Sequence, residues 1–161
     1  MRTSVLAFVA TLSIVAAGCG GTTRVTTTAP PNPTFPSLSS AVATFVSKDH
    51  GKDAGSSMTM QLLRENSELA GNVQVVGTKF DDNSSSGAFA FSLLGPFTTR
   101  DIGDGQLRIR FNPDGADDWT FDLHVTMRFT NGTARNFVWH DIRLDNANPE
   151  RVLTLDLAQV S

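Results

Sequence analysis

The chain has 161 residues, a formal net charge of −3 and 40% hydrophobic residues. This composition excludes a wholly disordered chain and a protein with many membrane spans. The mild acidity argues against a nucleic-acid partner, because nucleic-acid binders normally carry a basic patch. A single cysteine excludes an intrachain disulfide framework and any metal site built from several cysteines.

The first 18 residues have the pattern of an export signal. Arg2 supplies a positive charge, and an apolar run of 13 residues, 5–17, follows it. As a helix this run would be roughly 20 Å long, well short of a hydrocarbon core of about 30 Å. It therefore has the length of a signal-peptide apolar region rather than of a permanent membrane span.

The single cysteine comes directly after this run. Ala16-Ala17-Gly18 precedes Cys19, and small residues before a cysteine resemble the lipobox of bacterial lipoproteins. That resemblance implies cleavage before Cys19, diacylation of its thiol and acylation of the new amino group. Several acyl chains hold a protein stably on a membrane, which one chain does not. We therefore expect an envelope protein that is anchored to a bacterial membrane through Cys19 and faces the periplasm or the exterior.

A linker follows the cysteine. Thr, Ser, Pro and Gly supply 15 of the 21 residues in the range 20–40. Four of these residues are prolines, which interrupt helices and strand ladders and favour extended chain. Such a segment cannot bury a core. We expect residues 19–40 to form a disordered tether between the lipid and one domain, residues 41–161.

Period-two alternation dominates that domain. Apolar residues occupy every second position from Trp119 to Phe129, with polar residues between them. The same pattern appears at Leu107, Ile109 and Phe111, and residues 41–48 also have strand character. Alternation of this kind predicts strands with one buried face and one solvated face. About eight strands separated by polar turns predict an all-β, antiparallel β-sandwich, with a closed barrel as the alternative.

Asn131-Gly132 predicts a hairpin after the long strand. A two-residue loop would place Met127 opposite Asn136. A three-residue loop over residues 131–133 would instead place Met127 opposite Phe137, and we prefer this register because it pairs apolar side chains. The alternation slips before Ile142, which predicts a β-bulge near His140-Asp141.

Aspartates in the predicted loops are candidate ligands for calcium. Thirteen of the 16 acidic residues are Asp, and Ca²⁺ takes six to eight oxygen ligands. No segment has the EF-hand pattern, and Asp also favours turns through its own side chain. The candidate ligands are Asp49, Asp53, Asp114, Asp117 and Asp118.

Two histidines are candidate ligands for zinc. In the preferred hairpin register, His124 and His140 face each other on the outer face of the sheet, with Cβ atoms about 5 Å apart. Asp122 would supply a third ligand. The alternative is that both histidines are solvated sheet residues.

One family resemblance covers part of the domain. The segment before the second strand reads Lys48-Asp49-His50-Gly51-Lys52-Asp53-Ala54-Gly55. Together with the Asp117-Asp118-Trp119 start of the long strand, it resembles PLAT (lipoxygenase-homology) domains. The resemblance implies an eight-stranded sandwich that binds proteins or lipids, in some members with Ca²⁺ at loop aspartates. Asp49, Asp53 and Asp117 are the positions that would carry over.

Two kinds of function remain open. The first is a non-catalytic domain that binds a protein, glycan or lipid partner. The alternative is a surface-anchored hydrolase that uses loop carboxylates, with or without a metal. The sequence singles out no catalytic residue, since it has no Gly-x-Ser-x-Gly elbow. Convergence of the loop aspartates around one concave surface would favour the hydrolase.

Overall fold

Two antiparallel sheets make up residues 34–157, the range that the computed structural model describes. The predicted β-sandwich is therefore confirmed. The predicted signal peptide, Cys19 and most of the predicted tether lie outside the described residues. Within the described range the strands are β1 (Leu38–Ser47), β2 (Ser57–Leu63), β3 (Leu69–Val75), β4 (Phe89–Ala90), β5 (Ser92–Leu93), β6 (Gln106–Asn112), β7 (Trp119–Phe129), β8 (Ala134–Leu144) and β9 (Glu150–Thr154).

Each sheet ends in a two-residue strand, β4 or β5, on one side and in β8 or β9 on the other. The four-stranded sheet has the order β4-β1-β7-β8, and the five-stranded sheet has the order β5-β3-β2-β6-β9. Since β8 and β9 are edge strands of different sheets, the chain crosses from one layer to the other through residues 145–149.

The core lies between the sheets and follows the alternation of the sequence. Phe121, Leu123 and Val125 of β7 are fully buried, and so are Leu107 and Ile109 of β6. An aromatic cluster fills one end of the core. Its ring centroids lie 4.1 Å apart for Trp119 and Phe121, and 5.0 Å apart both for Trp119 and Phe45 and for Trp119 and Phe80. Large aromatic side chains in offset and edge contacts contribute more than their buried area alone.

The register of the β7–β8 hairpin corrects our prediction. Met127 lies opposite Arg135 rather than Phe137, and Val125 lies opposite Phe137. The three-residue loop spans 130–132 instead of 131–133, because Gly132 takes the left-handed position with φ of +83° and the Phe129 amide bonds the Thr133 carbonyl. The shift is two residues, so each side chain keeps its predicted face of the sheet.

The predicted bulge in β8 is confirmed. Phe121 pairs with Ile142 and Leu123 with Trp139, so two residues of β8 oppose Asp122 alone. Asp141, one of these two residues, has a positive φ of 53°. A bulge of this kind re-aims the side chains around it.

The sandwich has two distinct ends. At the turn end, where β1 begins, the Ser37 amide bonds Thr130 Oγ1 and the Leu38 amide bonds the Phe97 carbonyl. A four-residue helix, α1 (Thr99–Ile102), also lies at this end, and a capping box between Thr98 and Asp101 begins it. The loops 48–56 and 113–118 lie at the opposite end, which we call the loop end, because β1 runs antiparallel to β7 over its whole length.

Candidate functional site

The loop aspartates converge on one surface. An open hollow of about 450 Å³ lies at the loop end, and we call it the acidic hollow. It is lined by Asp49, His50, Gly51, Asp53, Asp82, Asp114, Ala116, Asp117 and Asp118. All five candidate calcium ligands are therefore on one surface, and Asp82 joins them.

Asp117 ties the two loops of the hollow together. Ser56 is fully buried, and its hydroxyl donates to Asp117 Oδ2 while accepting a 2.8 Å hydrogen bond from the Asp114 amide. The Asp53 amide donates to the same carboxylate oxygen at 3.1 Å. One oxygen of Asp117 thus already accepts two hydrogen bonds from the chain itself.

Two further carboxylates of the hollow have partners within the chain. Asp118 lies 3.3 Å from His50 Nδ1 and accepts a 2.8 Å hydrogen bond from Arg143 Nη2. Asp82 accepts a 2.8 Å hydrogen bond from the Gly51 amide. Over residues 34–157, no group of three or more His, Cys, Asp or Glu side chains has an arrangement that could hold a metal ion. The calcium site stays a prediction.

A buried lysine lies next to the hollow. Lys52 is fully buried, and its ammonium group donates to the carbonyls of Asp53 and Thr78 at 2.8 and 2.7 Å. Burial lowers the pKa of Lys52, although the nearby Asp117 and Asp53 charges oppose that shift. The Lys52 backbone pairs with Phe80, and a Cβ on Gly51 would come within 2.1 Å of the Phe80 carbonyl. Glycine is therefore required at position 51 for the two segments to approach. The sequence does not distinguish Lys52 from an exposed lysine in a polar turn.

The histidine pair of the zinc prediction does not form. His124 lies opposite Val138, not His140, so the predicted register for this pair was wrong. His140 sits in the bulge, with Nδ1 3.2 Å from Asp122 Oδ2. The Lys48 ammonium occupies the same carboxylate oxygen at 2.7 Å. The carboxylate that would have completed a zinc site is therefore paired with a lysine.

Asp122 is mostly buried and strongly held. Its side chain is only 11% exposed, and the Asp141 amide of the bulge donates to it at 3.0 Å. The Lys48 ammonium, followed by the Asp141 amide and His140, holds the pKa of this carboxyl far below its usual range despite its burial. The group is thus an anchor between β1, β7 and β8.

A second polar surface lies on the outer face of the five-stranded sheet, and sequence reasoning missed it. This arginine groove, of about 200 Å³, is lined by Thr59, Gln61, Arg108, Arg110 and Glu150. Arg108 Nε and Arg110 Nε lie 3.6 and 3.4 Å from the two carboxylate oxygens of Glu150. Arg108 Nε is buried and has no hydrogen-bond partner. Two guanidinium groups therefore share one carboxylate in this groove.

The sequence predicts the arginines of this groove but not their neighbours. The alternation of β6 predicts that Arg108 and Arg110 point outward together. It does not predict that β2 and β9 flank β6, and that strand order brings Gln61 and Glu150 beside the arginines.

Comparison with known proteins adds no relative. The chain matches no protein-family model and no curated protein. Among the described residues, no helix has the length and apolarity that a membrane span requires. The fold, the acidic hollow and the arginine groove are thus the basis for the functional inference.

Proposed function

We propose that the protein is a lipid-anchored protein of the bacterial envelope whose β-sandwich binds a protein, glycan or lipid partner without catalysing a reaction. The lipidated residue is Cys19, and the domain faces the periplasm or the exterior. The observation that carries the proposal is the direction of the chain. It enters the sandwich at the turn end, and β1 then runs for ten residues, about 33 Å, to the acidic hollow at the loop end.

This direction suits a tethered binding domain. A lipid on Cys19 would anchor the chain N-terminal to the sandwich, and the loop end and the sheet faces are the surfaces that the described domain offers to a partner. The acidic hollow is also open rather than enclosed, which suits a large partner better than a small substrate held away from water.

The first test concerns the anchor. We expect the full chain, expressed in a bacterium, to incorporate labelled palmitate and to partition into a detergent phase. Cys19→Ala should lose both properties, while Thr22→Ala, a matched change in the predicted tether, should keep them. Continued labelling of Cys19→Ala would contradict lipidation at this residue.

The alternative function is a hydrolase, and the convergence of the loop aspartates favours it. Hydrolysis by carboxylates requires a group placed to transfer a proton at the reacting bond. In the acidic hollow, Asp82, Asp117 and Asp118 instead accept hydrogen bonds or ion pairs from their own chain. This arrangement favours a structural role for these three carboxylates.

The second test separates binding from hydrolysis. Full-length protein in mild detergent would be incubated with isolated envelope material, and bound material and released fragments would be measured separately. We expect retention on the envelope without release of sugars, peptides or fatty acids. Fragment release that Asp53→Asn or Asp118→Asn abolishes would establish the hydrolase. The PLAT resemblance stays a prediction that neither result decides.

A further inference from the structure

The outer face of the five-stranded sheet carries two cross-strand rows of polar side chains. Arg110 lies between Thr59 and Glu150, and Thr59 continues to Gln74 on β3. In the neighbouring row, Arg108 lies between Gln61 and the apolar Val152, and Gln61 continues to Asn72. The arginines are two positions apart on β6, roughly 7 Å along the strand. The arginine groove is therefore the charged end of a wider polar face.

The arginines keep donors that their own chain does not use fully. A guanidinium group has five N–H donors. The contacts to Glu150, at 3.4 and 3.6 Å, are longer than the roughly 2.7–2.9 Å of a strong charge-assisted hydrogen bond. The Arg110 side chain is 73% exposed and the Arg108 side chain 41%, so an oxyanion from solvent can reach both.

A second arginine site balances its charges differently, although its Nε, like that of Arg108, is buried without a hydrogen-bond partner. Arg64, near the turn end, donates to Glu68 at 2.6 Å and to Asp101 at 3.1 Å. There, two carboxylates hold one guanidinium, whereas in the arginine groove two guanidiniums share one carboxylate. The charge ratio is reversed, which leaves the groove with a surplus positive charge.

We propose that the arginine groove binds the acid group of an anionic glycan, a polyhydroxylated chain that carries carboxylate or sulfate groups. Guanidinium groups suit planar oxyanions, and Thr59, Gln61, Asn72 and Gln74 offer hydroxyl and amide groups to sugar hydroxyls. This inference rests on the proposed binding function and specifies its ligand class.

The composition of this face favours a glycan over the other two partner classes. Protein interfaces usually depend on buried aromatic anchors, and neither cross-strand row contains an aromatic residue. A lipid surface is typically recognised by clusters of four to eight basic residues or by inserted apolar groups. The groove has two arginines and a glutamate, and the exposed apolar side chain beside it is Val152, opposite Arg108.

Immobilised polymers test the inference directly. The probes are polygalacturonate, which carries carboxylates, dextran sulfate, which carries sulfates, and neutral dextran. The full-length chain is applied in mild non-ionic detergent with EDTA, so that no divalent cation bridges the acidic hollow to the polymer. We expect binding to at least one charged polymer and none to neutral dextran. The charged polymer that binds more tightly identifies the acid group as a carboxylate or a sulfate.

Substitutions locate the binding on the groove. Arg108→Gln together with Arg110→Gln should weaken binding at least about tenfold, the ratio expected for loss of one or two charge-assisted hydrogen bonds. Glu150→Gln should strengthen it several-fold, because the glutamate competes with the ligand for both arginines. Arg128→Gln, the same change on the outer face of the other sheet, should leave affinity within about twofold.

Three results with the variants would overturn the inference. They are unchanged affinity in the double variant, an equal loss in Arg128→Gln, and weaker binding in Glu150→Gln. Thermal unfolding would verify that each variant folds. If the double variant does not fold, the binding measurement uses Arg110→Gln alone. Failure to bind any polymer would also overturn it, while palmitate labelling and envelope retention would still decide the proposed function independently.

Discussion

The acidic hollow and the arginine groove are both polar surfaces, but they balance their charges in opposite ways. In the hollow, Asp117 accepts hydrogen bonds from Ser56 and Asp53, and Asp118 contacts His50 and Arg143. In the groove, two arginines share Glu150 at distances beyond a strong hydrogen bond. The chain thus supplies partners for Asp82, Asp117 and Asp118 in the hollow and leaves donors available in the groove.

This difference indicates what each surface contributes. Polar groups that are paired within the chain hold loops in place, and their loss destabilises the fold. Charged groups with spare donors on an exposed sheet contribute little to stability and are free to bind. We therefore expect substitutions at the loop end to change the free energy of unfolding, and substitutions in the groove to change binding.

The largest expected effect is at Lys52. Lys52→Ala leaves the carbonyls of Asp53 and Thr78 without their buried donor and removes packing against Phe80. We expect the free energy of unfolding, measured by urea denaturation at neutral pH, to fall by about 3 kcal/mol. Lys79→Ala, which removes an exposed ion pair with Asp81, is the control and should change nothing measurable. If Lys52→Ala and Lys79→Ala both changed the free energy of unfolding by the same small amount, the buried lysine would not stabilise the fold more than the exposed one.

Asp122 should give the next largest effect, with a defined pH dependence. Asp122→Asn keeps an acceptor for the Asp141 amide but loses the Lys48 ion pair, and we expect a cost of about 2 kcal/mol at neutral pH. The folded-state pKa of this carboxyl is depressed from its usual 3.8, so its contribution is fully present above about pH 4. The contribution is lost as the pH falls further, because the unfolded chain then binds a proton that the folded chain does not.

Urea denaturation between pH 2 and 7 would measure that dependence. The variant should lose less stability than the wild type on acidification below about pH 4. Asp104→Asn, a change at an exposed residue, should follow the wild-type curve. Parallel curves for wild type and Asp122→Asn would show that Asp122 does not contribute to acid unfolding.

The groove should behave in the opposite manner. Replacing Arg108 and Arg110 by glutamine should change the free energy of unfolding by less than about 0.5 kcal/mol, since their partner is a surface carboxylate. Urea denaturation of the double variant and of Lys52→Ala under the same conditions compares the two changes in the free energy of unfolding. A loss as large as that of Lys52→Ala would make the groove a structural element.

Calcium should give the smallest effect. The carboxylates of Asp82, Asp117 and Asp118 already have partners in the chain, so Ca²⁺ would have to displace them. We expect millimolar Ca²⁺ to move the thermal midpoint by less than about 1 °C relative to EDTA, with Mg²⁺ as the control. A rise of order 10 °C that Asp53→Asn abolishes would instead establish the calcium site.

The fold was largely predictable because its strongest signal is local. Alternation from Trp119 to Phe129 depends only on neighbours in sequence, and it placed every apolar residue of this strand in the core, although Asp122 is buried as well. The exact hairpin register was not predictable, because registers that differ by two residues keep the same faces. The left-handed conformation of Gly132 fits the observed loop, 130–132. The predicted loop, 131–133, also contains this glycine, so its presence in the sequence did not distinguish the two registers.

The site was predictable only in part. The aspartates follow strand ends, which explains why Asp53 and Asp117 meet on one hollow. Which carboxylates are paired depends on contacts between distant loops, such as Ser56 with Asp117, and no local pattern encodes them. The same holds for the arginine groove, since Glu150 reaches β6 only through the order of strands in the sheet.

The central claim is that the groove receives a ligand while the acidic hollow stabilises the loops. Nitrogen-correlated NMR of the full-length chain in detergent can follow both surfaces during a polygalacturonate titration. We expect the Nε–H signals of Arg108 and Arg110 to shift. The amide signals of Gly51 and Asp53, whose N–H groups donate to Asp82 and Asp117, should stay in place. Shifts of those two amides with unchanged arginine signals would contradict the claim.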